Sequence, residues 1–314
     1  MRFLLTLAAM ALPVCAQGWY NPVWRYRKAI EIDRSTVACD TGTIQANFPA
    51  LIALTNDPDL AAHARWDGSD ILFTAGDGTT KLDREVESFT WNSGTLLAWV
   101  RIPALNCAAA AADTTIYIYY GSPAGTELNA ATVWDSHYLA VLHFANAQAP
   151  GKDSTGNHND GTVYAVTSGA GMTGNGGVFD GSTSHITGGG ARIQGGEFTL
   201  QAWIHPLWAS GTVLDIGTDT GADHLLHFYQ RSDAGIWLDY TWDTGGIEED
   251  STVLTGAWNF VASRLSSAKA LTVTKNLGSW GPFNVNGFLP AQVLTRSAEP
   301  ARTPITFSPA RSMS

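Results

Sequence analysis

Residues 196–206 read GEFTLQAWIHP, and how this stretch alternates decides the fold. Phe198, Leu200, Ala202 and Ile204 fall on one face, and Thr199, Gln201, Trp203 and His205 on the other. That is the two-residue period of a β-strand. A glycine at its start and a proline at its end mark the boundaries. Both faces are rich in carbon, the pattern of a strand covered on both sides. Trp203 is therefore assigned to the space between two sheets, since large aromatics dominate cores. The competing reading makes Trp203 and His205 part of an open platform.

Working outward, the same kind of run recurs along the chain. PALIALTN (49–56), DILFTA (70–75), LDREVESFTW (82–91), LLAWVRIPAL (96–105) and TTIYIYYG (114–121) each alternate between Gly, Pro, Asn or Asp punctuation. After HYLAVLHF (137–144) comes a stretch rich in Gly, Asn, Asp and Ser. Strands resume with 196–206, GTVLDIGT (211–218), HLLHFYQR (224–231), GIWLDYTW (235–242), AWNFVASRL (257–265) and ALTVTKN (270–276). The Ala run 108–112 has neither a cap nor an amphipathic face and reads as loop. Short strands at this spacing, with no long amphipathic helix among them, predict an all-β sandwich or jelly roll.

The chain has 314 residues, enough for two domains, with 32 glycines, 12 tryptophans and only 15% charged residues. Such a composition suits exported all-β proteins. A formal net charge of −10 with no basic cluster excludes nucleic acid as a partner. Residues 1–16 read as a signal peptide. Met1-Arg2 is positive, Phe3 to Val14 is apolar, and Val14-Cys15-Ala16 precedes Gln17 as a cleavage site. Val14 stands where a lipoprotein signal wants a small residue before Cys15, which argues against lipidation. No later segment has the ~18 apolar residues of a membrane span. The expected location is therefore periplasmic or secreted, where Cys39 and Cys107 read as a structural disulfide rather than a metal site.

Two resemblances organise the chain. WRYRKAIEI, WDGSDILFTAGDGTTKLDREVES, LAWVRIPAL and TIYIYYG, in that order across 19–134, make the first half resemble the bacterial domain of unknown function 2341. DSTGNHNDGT, GNGGVFDGSTSHI, FTLQAWIHP and TGAWNFVA, across 137–308, make the second half similar to the laminin-G-like jelly rolls of the concanavalin A-like lectin/glucanase group. The expected architecture is all-β: an N-terminal antiparallel β-sandwich (17–134), a C-terminal concanavalin A-like jelly roll (135–308) and a tail (309–314). In exported bacterial chains the two domains often occur in tandem, some continuing into a proton-channel module of the MotA/TolQ/ExbB type. One departure stands out. Pro290-Ala291 occupies the place where the second family has an Asp-Glu pair leading into its last strand, and proline removes a ladder donor there.

Enzymatic motifs fail in turn. A glycosidase needs two carboxylates about 5 to 10 Å apart, and the family's Glu-x-Asp-x-Glu strand is absent. Glu248, Glu249 and Asp250 are contiguous, follow Gly245-Gly246 and read as solvated loop acids. Glu85 and Glu87 share a strand face, but the sequence offers no catalytic group to work with them, and exposed strand acids explain them as well. GAGMTG (169–174) fits the dinucleotide pattern, yet no helix follows it. There is no GxSxG elbow, and His224 and His227 lie three apart on a strand, hence on opposite faces. No catalytic residue is expected.

Two kinds of binding site are expected instead. The second resemblance implies calcium held by loop oxygens, with Asp153, Asn157, Asp160 and Asp180 as candidates. The competing reading is that these side chains form Asx-turns with their own backbone. For a glycan, Trp203 and His205 would align with His227 and Tyr229, and with Trp237 and Asp239, on neighbouring strands, with Trp208 and Trp242 as loop contacts. The expected function is an exported, non-enzymatic protein that recognises a carbohydrate or another cell-surface or envelope component through the jelly roll. The alternatives are a periplasmic sensor or assembly region of an envelope protein complex, and an accessory module of a glycoside-active enzyme.

Overall fold

The computed structural model describes residues 18–37, 44–108, 111–125, 132–188, 197–207, 211–217, 224–230, 236–239, 246–249, 255–266, 270–276, 278–284 and 305–307. The chain divides into two units, Met1–Asn129 and Ala130–Ser314. Both are built of antiparallel sheet with almost no helix among the described residues, as the alternating runs predict.

The first unit contains β1 (Tyr26–Ile32), β2 (Ile44–Leu54), helix α1 (Pro58–His63), β3 (Leu72–Ala75), β4 (Lys81–Leu82), β5 (Arg84–Thr90), β6 (Thr95–Asn106) and β7 (Thr114–Tyr120). They form one sheet in the order β1-β7-β3-β4 and another in the order β2-β6-β5. Alternation places Leu96, Ala98, Val100 and Ile102 of β6 inward, where they meet Phe73, Ile116, Ile118 and Tyr120 of the other sheet in one buried cluster. This is a sandwich core. The β7 residues Tyr117 and Tyr119 point the opposite way and are buried too. Segment 18–24 covers them: Tyr20 and Trp24 pack on this face, and the Arg27 guanidinium lies 4.8 Å from the Trp19 ring and 4.6 Å from the Tyr117 ring. From Ile116 to Tyr120, IYIYY is aromatic and aliphatic throughout because the sheet is covered on both sides.

Helix α1 escapes the strand pattern, but its cap is legible. Asp57 accepts hydrogen bonds from the N–H groups of Asp59 and Leu60, both at 3.0 Å, and Pro58 occupies the first turn, where a missing N–H costs nothing. Leu60 anchors the helix, fully buried. The turn after β5 passes so close that a side chain at Gly94 (φ +64°) would collide with the Asp57 carbonyl.

The second unit contains β8 (Thr162–Tyr164), β9 (Thr167–Ala170), β10 (Asn175–Val178), β11 (His185–Thr187), β12 (Phe198–Ile204), β13 (Gly211–Gly217), β14 (His224–Gln230), β15 (Ile236–Asp239), β16 (Gly246–Glu249), β17 (Asn259–Leu265), β18 (Ala270–Lys275), β19 (Gly278–Asn284) and β20 (Ile305–Phe307). One sheet runs β16-β15-β14-β13-β20-β11-β8, another β12-β17-β18-β19, and β9 and β10 form a hairpin.

Three expectations are corrected. The run 137–144 is not a strand: the Val141 N–H goes to the Asp153 carboxylate at 2.9 Å, and only an isolated bridge joins Leu142 to Asp153. The glycine-rich stretch is not strand-free but supplies β8 to β11. GAGMTG closes the β9–β10 hairpin, with the Gly171 N–H on the Gly174 carbonyl at 3.0 Å. Glu248 and Glu249 lie in edge strand β16 rather than in a loop. Ile305–Phe307 lies within the large sheet, paired with β11 and β13; Pro290-Ala291 lies outside the described residues.

Candidate functional site

Strand β12 shows which of its two faces is open. Phe198, Leu200, Ala202 and Ile204 are partly covered, whereas Thr199, Gln201, Trp203 and His205 are exposed. Trp203 is 49% exposed, so its assignment to the core is wrong. Carbon on both faces does not tell which one is covered. The partner strand does: on β17, Asn259, Val261 and Ser263 are fully buried, which fixes the inner face of the pair, and Trp203 stands opposite Phe260 on the outer one.

The register builds an aromatic strip. The Trp203 and Phe260 rings are 5.4 Å apart at 56°. Beyond the end of β12, His205 meets Trp258 edge-on, with centroids 5.2 Å apart. Local hydrogen bonds hold both pairs in place. The Gly256 N–H donates to the Pro206 carbonyl at 2.8 Å, tying the segment after His205 to the approach to Trp258. The Phe260 N–H donates to the Asn276 side chain at 2.9 Å, and the Asn276 N–H returns a bond to the Phe260 carbonyl at 2.8 Å. Four aromatic rings with amide, hydroxyl and guanidinium neighbours (Gln201, Thr199, Arg264) thus line one sheet face. Trp258, Phe260 and Arg264 were not singled out from sequence. Their signal is the alternation of AWNFVASRL, legible only once β17 is known to pair with β12 some sixty residues away.

The remaining aromatic candidates are arranged differently. Tyr229 pairs with Trp237, and His227 with Asp239, across β14 and β15. These four align as expected, but in the seven-stranded sheet, whereas Trp203 and His205 belong to the four-stranded one. The six residues therefore do not form one row. Trp208 and Trp242 lie outside the described residues.

The metal candidates gather in part. Asp153 and Asp160 share a loop in which Asp160 accepts from the Asp153 N–H at 2.9 Å and from the Lys152 ammonium at 2.8 Å. Asp153, 1% exposed, accepts from the N–H groups of Val141, Thr155 and Asn159 and from the Thr155 hydroxyl. Asn157 donates to the carbonyls of Tyr138 and Leu139. Asp180 lies in another turn, where N–H groups of Ser182, Thr183 and Ser184 and two hydroxyls surround it. Those bonds hold its carboxyl far below the usual carboxylate range. As arranged, this set does not fit calcium: N–H and O–H donors occupy the acceptor oxygens, and an ammonium sits on Asp160. Among the described residues no three His, Cys, Asp or Glu form a metal-holding group. The Asx-turn reading describes these loops. Cys107 is a half-cystine, and Cys39 lies outside the described residues.

In the first unit, Glu87 sits at a β-bulge between Val86 and Ser88, where the Trp99 indole N–H donates to its carboxylate at 2.8 Å. The densest ionisable cluster is elsewhere. Lys28 binds Asp57 at 2.6 Å and approaches Asp59 at 3.5 Å, His63 lies 2.9 Å from Asp59, and the Tyr120 hydroxyl donates to Asp59. Tyr120 is itself fully buried, and burial together with this carboxylate pushes its hydroxyl well above the usual range. The cluster fastens α1 to β1 and β7.

At Asp57, burial opposes ionisation, but hydrogen bonds from Lys28, Leu60 and Asp59 and the charge of Lys28 outweigh it, leaving the pKa below 3.8. At Asp59 the Tyr120 hydrogen bond is the largest cause of a shift in the same direction. Depressed carboxyls contribute stability above their unfolded pKa and lose it as pH falls through the folded value. Lys28→Met is therefore expected to cost about 1 kcal/mol at pH 7, as a partly exposed pair does, and less at pH 2.5, where the carboxyls are closer to neutral. Urea unfolding of both proteins at the two pH values measures this difference.

Residues 67–149 match the family described as Domain of unknown function (DUF2341), about a quarter of the chain; the match begins inside the 19–134 portion that resembles this family and runs past its end. No curated protein matches the chain. Among solved structures, it is similar to a "putative carbohydrate binding protein" from Bacteroides ovatus ATCC 8483, at 10% identity, covering 91% of this chain and 76% of that one, with a TM-score of 0.24. At that score the likeness bears on neither fold nor ligand. No described helix is long and apolar enough to cross a membrane.

Proposed function

We propose that the chain is a non-enzymatic binding protein that recognises a carbohydrate of the cell surface or its surroundings through the outer face of β12 and β17. One observation supports this reading above the others: Trp203 is half exposed, with its ring 5.4 Å from that of Phe260, on the face opposite the buried Asn259, Val261 and Ser263. Aromatic rings in a fixed strand register offer flat surfaces to the CH faces of sugars, and nearby polar groups meet the hydroxyls. The laminin-G-like resemblance of this half agrees with the reading, and the first unit then acts as an accessory module.

Export through residues 1–16 belongs to the same proposal. Protein is expected outside the cytoplasm with Gln17 as its N-terminus; recovery only in the cytoplasm, with Met1 retained, contradicts export.

The experiment is a glycan screen of the full chain in calcium and in EDTA, with Trp203→Ala as the paired control. Binding to one class of glycan by the parent and not by the variant is the expected outcome, equal in both buffers because the loop of Asp153 and Asp160 is held by its own hydrogen bonds. Failure to bind any glycan, with envelope proteins co-purifying, would turn the reading toward the assembly alternative.

A further inference from the structure

The outer face of the four-stranded sheet is organised in rungs. Trp203 stands opposite Phe260, Gln201 opposite Ala262, and Thr199 opposite Arg264; the next strand adds Thr274 beside Ala262 and Thr272 beside Arg264. Ala262 is small and 9% exposed, so the middle rung is a low floor. An aromatic wall rises on one side of it, and on the other stands Arg264, exposed and in no ion pair among the described residues. Four residue steps lead from the wall to Arg264, about 13 Å along the strands.

That spacing decides what fits. One sugar ring stacked on Trp203 ends over the Ala262 floor and leaves Arg264 untouched. A chain lying along the strands meets both. The guanidinium offers five N–H donors in one plane and suits two neighbouring oxygens, while Gln201 and Thr274 flank the floor with amide and hydroxyl groups. Glu197, exposed and immediately before β12, adds an acceptor near the Arg264 end.

We infer that this face reads an extended oligosaccharide of roughly three sugar units lying along β12 and β17, with Trp203 and Phe260 stacking at one end and Arg264 hydrogen-bonding at the other. The inference rests on the glycan-binding reading of the same face and specifies its ligand as an extended chain rather than a single sugar.

Calorimetric titration of the full chain with ladders of one to six units of cello-, laminari-, xylo- and galacto-oligosaccharides tests it. In the ladder that binds, affinity is expected to rise at least tenfold from one unit to three and then level off. Arg264→Ala should lower trimer and hexamer affinity about tenfold, the worth of a hydrogen bond to a charged donor, and leave the disaccharide unchanged. Arg264→Lys should recover part of that loss. Monosaccharide binding as tight as hexamer binding, or an equal loss for disaccharide and hexamer in Arg264→Ala, would overturn the inference while the glycan reading stands. If no ladder and no polysaccharide binds the parent protein, the glycan reading itself fails and takes this inference with it.

Discussion

Replacing Asp70 with alanine is expected to cost the first unit about 4 kcal/mol, the range measured when one partner of a buried charge pair is removed. Asp70 has no exposed surface. Its carboxylate accepts from the N–H groups of Arg65 at 3.0 Å, Gly121 at 2.6 Å and Ser122 at 3.1 Å, joining the loop before β3 to the segment after β7. Nearby, Arg84 is 2% exposed. Burial draws its pKa down to about 10, and the charge of Asp70 opposes that shift. Removing the carboxylate leaves three N–H groups without their acceptor, each a desolvation penalty, and withdraws a negative charge that favours the buried Arg84 cation. Unfolding should therefore move to much lower urea, and amide exchange in β3 and β7 should accelerate by orders of magnitude. A double variant, Asp70→Ala with Arg84→Met, should recover about half the loss, because apolar replacement of a buried pair is tolerated better than its halving. A loss below about 1 kcal/mol for Asp70→Ala would show that these bonds are not the tie described.

Asp153→Ala is the corresponding experiment in the second unit, with an expected cost of about 3 kcal/mol. Four donors converge on this carboxylate: Val141 N–H at 2.9 Å, Thr155 N–H at 3.0 Å, the Thr155 hydroxyl at 2.8 Å and Asn159 N–H at 2.9 Å. Thr155 is as deeply buried as Asp153, so water does not readily replace the lost acceptor. The carboxylate also anchors the backbone of 137–144 at Val141. Exchange protection should fall at the amides of Val141, Thr155 and Asn159 and stay unchanged in β1 to β7. Asp153→Asn keeps one acceptor oxygen and should cost less. Unaltered exchange at those three amides in Asp153→Ala would contradict the role assigned to it.

The strand content was legible because alternation is a local property. LLAWVRIPAL became β6 almost residue for residue, and TTIYIYYG became β7. Pairing was not legible, since register between distant strands leaves no local mark. That is why Trp203 was assigned to the core and set beside Tyr229 and Trp237: its actual neighbour, Phe260, is fixed only by the β12–β17 ladder. The stretch 137–144 failed for another reason. It has strand composition, but the aspartate that captures its backbone lies a dozen residues further on. The calcium set was read from oxygen-rich loops, and composition alone cannot separate an ion cradle from an Asx-turn whose donors are its own backbone. Helix α1 was readable from Asp57-Pro58 but too short to show a period.

The central claim is that the Trp203–Phe260 face binds carbohydrate. Its most direct test is the affinity of full-length parent and Trp203→Ala for the best glycan found, measured side by side with their melting curves. Because Trp203 is half exposed, the substitution should leave the melting temperature within about 3 °C, the scale of a small surface change. It should weaken binding about thirtyfold, or ~2 kcal/mol, the worth of a central aromatic anchor. A variant that folds normally and binds the glycan as tightly as the parent would contradict the account.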